Sequence, residues 1–398
     1  MNELGEVFGD LRAHAGRTAL TAISLFLGVL AVMAIIVTGD VVKEVFMATA
    51  EQQGGRYRTF ARTVPLPATM SRASLASAIT TLPGGGRAGN ACTLNQASSV
   101  QVALAPRVDP ARQQGVDGNA SLLFVCGDYR AIYRLPLAQG RWLTPDPATS
   151  PYEVVVNELA AAELGGPGTT VWLVSNTTAT SFPAAVVGVV NDGNAGSRVY
   201  ASALPWLANA PQLLTLQSLT LLWYQAGATP EGVTLVTDDW LTDHGLPTDN
   251  NVQETDTVAG FQQFVTVMQW SFVGVAGVSL VVAALGIVNV GLASVKERTR
   301  ELVIRRALGA SKPTIVRLIM GSSLVLAVIV AAISVGVAWA ALAIFRARIA
   351  YDSPIQPPGY PVVAALVGTS VAIATALLGS LVPGVVASRL QPGLALRD

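Results

Sequence analysis

The densest run of charge in the chain is VKERTRELVIRRALGA, residues 295–310. It sets Lys296, Arg298, Arg300, Arg305 and Arg306 beside Glu297 and Glu301, in a 398-residue chain that is 51% hydrophobic and only 13% charged. Such a run suits docking on a partner or fixing orientation in a membrane better than making or breaking bonds. Side chains suited to catalysis are sparse elsewhere. The chain has two histidines, His14 and His244, and no His-Glu-x-x-His, so no metal site is expected. Gly309-Ala-Ser-Lys-Pro-Thr314 lacks the leading glycine spacing of a phosphate-binding loop and has proline where its helix would start. Asp238, Asp239 and Asp243 read as solvated surface carboxylates. The expectation is a non-catalytic chain with no cofactor of its own. Acids and bases balance at 25 each, which points to no nucleic-acid partner.

The basic run needs an element to present it. Residues 298–308 suit a short helix, with Glu301 and Arg305 paired at i,i+4 and an apolar side of Leu302, Val303, Ala307 and Leu308. Gly309 can take the left-handed position that ends it. Ser311 can cap the next helix, with Pro313 tolerated in its first turn. Either this helix docks into a partner's groove, or the loop only fixes orientation by charge. A capped end and an apolar side favour docking.

Four segments without Asp, Glu, Lys or Arg exceed the roughly 20 residues that cross a bilayer: Thr18–Gly39, Thr257–Val295, Leu318–Phe345 and Ser353–Ser388. Lipid offers backbone polar groups no partner, so each must be helical across its span. The loop 295–317 carries seven basic residues against two acids, which places it in the cytoplasm. Arg12, Arg17, Arg389 and Arg397 agree; Arg346 and Arg348 dissent. The expected product is a multi-pass protein of the cell membrane with both termini cytoplasmic and a large domain outside. The first span runs longer than a signal-peptide core, so it reads as an uncleaved anchor. The absence of ionisable residues from the spans argues against a polar route through the bilayer. Asn289 is the conspicuous amide there and is expected to bond between helices.

These segments divide the chain into a cytoplasmic amphipathic helix at 1–17, a first span at 18–40 and an outer domain with stalk helices at 41–262. The second span follows at 263–295, a cytoplasmic helix loop at 296–313 and the third span at 314–345. A short outer loop at 346–360, the fourth span at 361–388 and a cytoplasmic tail at 389–398 complete it. Val45 and Phe46 continue the helical stripe past the first span; Phe261, Val265 and Met268 begin one before the second. These stripes need cover, from each other or a second subunit as a coiled-coil-like stalk, or from the outer domain's own surface. Between them, SSVQVAL, SLLFVCG, YEVVVN, TVWLVS, FPAAVVGVV and SLTLLWY are strand-like runs. Residues 157–166 read as a short helix capped by Asn157 and stopped by Gly165 or Gly166. LPGGGRAGN (82–90) reads as a loop. Cys92 and Cys126 both fall in this domain, where an oxidising compartment permits a disulfide. The fold class is membrane α-helical, four transmembrane helices with a large α+β extracytoplasmic domain between helices 1 and 2, carried on helical stalks.

LGIVNVGLASVKERTRELVIRRALGASKPTIVRLIM (285–320) resembles the permease region of MacB and FtsX-like ABC transporters, the mechanotransmission (type VII) group. GRTALTAISLFLGVLAVMAI (16–35) is similar to their first span. The region 139–192 resembles their periplasmic core domain, and LVPGVVASRLQPGLALRD (381–398) their C-terminal end. The resemblance implies a permease paired with a second copy, identical or related, and seated on a cytoplasmic ABC ATPase dimer that holds ATP and Mg. The ATPase is expected on a separate chain. Arg298, Arg300, Glu301, Arg305, Arg306 and Gly309 would form the coupling helix. The implied function is export or extraction of a drug, peptide or lipid-linked substrate through motion of the outer domain. The alternative is an FtsX-like transmitter that regulates an extracytoplasmic cell-wall hydrolase and moves no substrate. Membrane lipid is an implied partner; an outer adaptor, substrate-binding protein or hydrolase would complete the assembly. Two departures stand out: Met320-Gly321 where a Glu is common, and Ala331-Ala332 where the family carries a double glycine.

Overall fold

A computed structural model describes residues 15–82, 89–96, 100–104, 120–144, 152–175, 180–209, 216–297, 299–349, 353–355 and 359–389. The expected amphipathic helix at 1–17 lies outside these residues up to position 14. In chain order the elements begin with α1 (Ala15–Gln53), β1 (Thr59–Pro65), α2 (Arg72–Thr80), β2 (Gly89–Gln96), β3 (Val100–Ala103), β4 (Ser121–Gly127) and α3 (Tyr129–Ile132). Next come β5 (Leu137–Gly140), β6 (Glu153–Asn157), α4 (Glu158–Leu164), β7 (Thr170–Ser175), β8 (Ser181–Val190), β9 (Arg198–Ser202) and α5 (Ala203–Asn209). β10 (Leu216–Tyr224), α6 (Pro230–Asp243), β11 (Gln253–Glu254), α7 (Val258–Glu297), α8 (Thr299–Ala307), α9 (Lys312–Arg348) and α10 (Val362–Ser388) complete the chain. They form two compact units, one of Met1–Lys43, Phe264–Ile349 and Pro357–Asp398, the other of Glu44–Gln263 and Ala350–Gln356.

The first unit is helical. Four stretches are long and apolar enough to cross a membrane: Ala22–Gln53, Gln263–Glu297, Lys312–Arg348 and Val362–Ser388. Even the shortest rises about 40 Å at ~1.5 Å per residue, more than the ~30 Å hydrocarbon core. In lipid, helices associate through close packing of small residues, because burying apolar surface gains little there. The last helix follows this rule. Ala364, Gly368, Ala372, Ala376, Gly379 and Ser380 fall on its buried side. Leu25, Val29 and Met33 of α1, Ile287 of α7 and Ala327, Val330 and Ala331 of α9 join Ala372 and Ala376 in one cluster. A Cβ on Gly379 would stand 2.9 Å from that of Ile287, so two backbones meet there because one side chain is missing. Ala331, one of the pair standing where the family's double glycine is expected, is buried in this cluster; Ala332 is exposed. Asn289, expected to bond between helices, is instead exposed on the surface of α7.

The second unit is a mixed α+β domain. Among the described residues eleven strands form one sheet, ordered β11-β1-β10-β2-β4-β9-β6-β8-β7-β3, with β5 also paired to β8. The pairs β4/β9 and β6/β8 are parallel and the others antiparallel. Side chains alternate across the sheet, so each face feeds its own core. Leu219 and Leu221 of β10 join a cluster with Leu75, Ile79, Trp206 and Trp240, whereas Leu222 joins Tyr129, Ile132 and Tyr200. Cys92 of β2 lies directly opposite Cys126 of β4, and the two form a disulfide with Cα atoms 5.0 Å apart. Asn157 caps α4 by accepting from the Ala160 N–H at 2.9 Å, and Gly165 ends that helix at φ +94°. Of the loop expected at 82–90, residues 83–88 lie outside the described residues, and Gly89 and Asn90 belong to β2, paired with Tyr224 and Trp223.

Candidate functional site

The basic helix α8 is short, and its two sides differ. Leu302 and Val303 are buried, Leu302 in a small cluster with Val295, Ile315 and Ala387 from the ends of α7, α9 and α10. The opposite side carries Arg300, Glu301, Ile304, Ala307 and Leu308, all exposed. Leu308 is 83% exposed. Glu301 and Arg305 pair at 2.9 Å along the surface, worth a few tenths of a kcal/mol. Arg298 lies outside the described residues.

The end of the helix is fixed by backbone chemistry. The N–H of Ala310 donates to the Arg305 carbonyl and that of Gly309 to the Arg306 carbonyl, both at 3.1 Å. This pair of bonds is the Schellman closure, and it puts Gly309 at φ +99°, where a Cβ is strained. Ser311 then starts α9 in an extended conformation, with Pro313 in the first turn. Its hydroxyl bonds the Thr314 hydroxyl at 2.8 Å and makes no side-chain cap to the backbone, unlike the cap expected.

Arg306 turns inward. Its guanidinium donates to the carbonyl of Ser388 at the C-terminus of α10. Helix carbonyls there lack partners and carry partial negative charge, so a cation is a natural cap. The sequence places Arg306 in one group with Arg300 and Arg305, but the structure separates them: Arg306 ties elements of the chain together, while Arg300 is exposed to solvent.

The entry and exit of the α+β domain form a second candidate region. Phe46 of α1 and Phe261 of α7 bring their rings to 5.6 Å. Val45 is exposed; Val265 is buried and Met268 half-buried. Arg134 grips α1 at two points, donating to Glu44 at 2.6 Å and Glu51 at 3.4 Å. Its own N–H donates to the Glu51 carbonyl. Gln52 adds a bond to the Asn191 carbonyl at 2.9 Å and lies so near Gly193 that a Cβ there would stand 2.4 Å from its Oε1. Sequence reasoning missed Arg134 and Gln52. The spacing of Glu44, Glu51 and Gln52 on one face of a helix was the available signal.

Beyond Asn191 the chain enters a buried polar network. Asp192 accepts from the Tyr200 hydroxyl at 2.8 Å and from Asn157 Nδ2 at 3.1 Å. Burial first, and then the negative charge of Asp192, push the Tyr200 phenol above its ordinary value, so it stays a proton donor. His244 bonds Thr81 and the Trp240 carbonyl in the same domain, and His14 lies outside the described residues. Among the described residues no cluster of three or more His, Cys, Asp or Glu could hold a metal.

Comparison with known proteins agrees with both units. The family model of the MacB-like periplasmic core domain matches residues 18–237, and that of the FtsX-like permease C-terminal region matches 273–392. The chain is 26% identical over 400 residues to the pyoverdine export ATP-binding/permease protein PvdT of Pseudomonas fluorescens, covering 96% of this chain and 57% of that protein. It is 30% identical over 168 residues to the ABC transporter permease YknZ of Bacillus subtilis, covering 42% and 40%. The chain thus spans about half the length of the curated relatives it matches. The periplasmic region of MacB from Actinobacillus actinomycetemcomitans aligns with a TM-score of 0.36 at 18% identity, covering 54% of this chain and 95% of that one. With the core-domain match alone covering more than half of its residues, and the permease match most of the remainder, the chain belongs to the MacB-like, FtsX-like family of ABC transporter permeases.

Proposed function

We propose that this chain is the membrane subunit through which a separate cytoplasmic ATPase, holding ATP and Mg, moves the α+β domain outside the membrane. The motion serves export or extraction of a drug, peptide or lipid-linked substrate. One observation carries the reading: α8 buries Leu302 and Val303 within its own chain and leaves Arg300, Ile304, Ala307 and Leu308 exposed on the other side. A helix held from behind, with apolar side chains in front, is built to fill a partner's groove. The charge bias of 295–317 supports a cytoplasmic place for this face and for both termini. PvdT carries ATP-binding and permease functions under one name and YknZ the permease alone, so relatives of this chain come in both arrangements. Exposed Asn289 supports a second permease copy against α7, because an amide facing lipid is unfavourable.

The test is co-purification from native membrane in mild detergent. The wild-type chain should retain an ABC ATPase; Arg300→Glu with Leu308→Asp should lose it while expressing and sizing normally. A variant that keeps the ATPase, or a wild-type chain that never holds one, sinks the reading. The charge-free spans favour motion over solute passage, which sustains the second reading of a transmitter acting on a cell-wall hydrolase. ATP-dependent hydrolase activation in reconstituted vesicles, without cargo loss, would select it.

A further inference from the structure

Two arginines contradict the charge bias that orients the chain. Arg346 and Arg348 close α9 at the end opposite the basic helix. Arg346 does not stand alone there. Its guanidinium carbon lies 5.3 Å from the centre of the Tyr360 ring. Tyr360 in turn stacks on Trp339, with centroids 6.1 Å apart and planes within 11°. The three residues come from the last turns of α9 and the approach to α10, so the cluster joins two helices. Trp339 is 52% and Tyr360 64% exposed, so the cluster remains open on its outer side.

Depth along the helix identifies what this side meets. From Arg317, the last charge before the apolar stretch, to Trp339 the helix rises about 33 Å at ~1.5 Å per residue, close to the ~30 Å hydrocarbon core. Arg346 lies about 10 Å further along, at headgroup depth. Indole and phenol rings favour that boundary, where one end is apolar and the other wet. A guanidinium lying over an aromatic ring is ordered by it and keeps its N–H edge free for a planar, two-bond grip on an oxyanion.

We propose that Trp339, Tyr360 and Arg346 form a binding site for the phosphate headgroup of an anionic phospholipid, in the leaflet opposite the basic helix. Arg346 holds the phosphate, and the two rings flank the glycerol and upper acyl chains. The lipid phosphate then supplies the countercharge that lets cations stand on the translocated side. The proposal rests on the membrane topology given above.

The test uses the full chain, in nanodiscs of phosphatidylcholine containing a minor fraction of phosphatidylglycerol, released into detergent for native mass spectrometry. Wild-type chain should keep phosphatidylglycerol through release. Arg346→Gln should lower the retained fraction about tenfold, the scale of a charge-assisted hydrogen-bond pair, and Trp339→Ala should lower it too. Arg348→Gln, whose side chain is outside the stack, should retain it as wild type does. Equal retention by Arg346→Gln and wild type overturns the site. So does displacement of the lipid by inorganic phosphate, or equal retention of a phosphate-free glycolipid. Labelling of Ser353→Cys by an impermeant maleimide on intact cells reports topology independently. Labelling from the cytoplasmic side alone would refute the orientation and with it the assigned leaflet, whereas the lipid count would still judge the cluster.

Discussion

The guanidinium of Arg306 and the carbonyl of Ser388 are joined by a hydrogen bond of 2.7 Å, so the basic helix α8 is fastened to the end of α10. Arg306→Ala removes a charge-assisted bond and a helix cap together, a loss of about 2 kcal/mol. Expected are a lower melting temperature in detergent and weaker stimulation of the proposed ATPase, with that ATPase still bound. Arg306→Lys should recover part of both. Full stimulation by the alanine variant would show that the tie carries no coupling.

Gly309 makes a complementary prediction at the same end of this helix, where its N–H closes on the Arg306 carbonyl. At φ +99° alanine is strained by about 1 kcal/mol, so Gly309→Ala should fray the last turn and re-aim Leu308. Gly309→Asn, which tolerates the left-handed region better, should be milder. Titrating ATPase binding against both variants checks the order; a tighter alanine variant would contradict it.

Close approach of two helices gives a third expectation. Gly379→Val drives a branched side chain into Ile287, whose Cβ is already 2.9 Å from the added carbon. Overpacking of this kind costs about 1–3 kcal/mol. Gly277→Val meets nothing within 4 Å and should leave the chain's own melting unchanged. Thermal unfolding of both in detergent separates them.

Alkaline pH should loosen the α+β domain for a definable reason. Burial raises the phenols of Tyr200 and Tyr129 above the ordinary value near 10. Between that value and the folded one, the native state holds protons that the unfolded chain has lost. Stability is therefore level below pH about 10 and falls above it. Tyr200→Phe should flatten part of that slope, at a baseline loss of about 1 kcal/mol for the missing bond to Asp192. Denaturant midpoints of the full chain across this range, alongside tyrosinate absorbance, would show it.

What could be read from residue order was local. Asn157, Gly165 and Gly309 declare helix ends because capping is settled within a few residues. SLLFVCG and TVWLVS declare strands because β-branched runs suit a pleated, buried surface. The four apolar spans and the basic run carried the architecture and the family. β1 was not visible: TFARTVP reads as polar, yet Arg62 is 2% exposed, held by Asp238 at 2.6 Å and Thr237 at 2.8 Å. Only a fold that brings α6 across β1 makes that arginine a core residue. α6 itself hid behind Val233, Thr234, Val236 and Thr237, poor helix formers, although Thr229-Pro230-Glu231 is a sound start signal. Arg306 illustrates the limit for the site. Its partner is 82 positions away, and no spacing rule distinguishes an arginine that caps a distant helix from one offered to a partner.

Arg134 holds Glu44 and Glu51, two turns apart on one face of α1, while Gln52 is lodged against Asn191 and Gly193. A single contact would let the helix swivel about it. Two ion pairs separated by about 10 Å of axial rise, with a third contact alongside, act as splines on a shaft. Within this domain the end of the helix can neither spin nor slip by a turn without breaking them, so it is keyed to its seat rather than hinged on it.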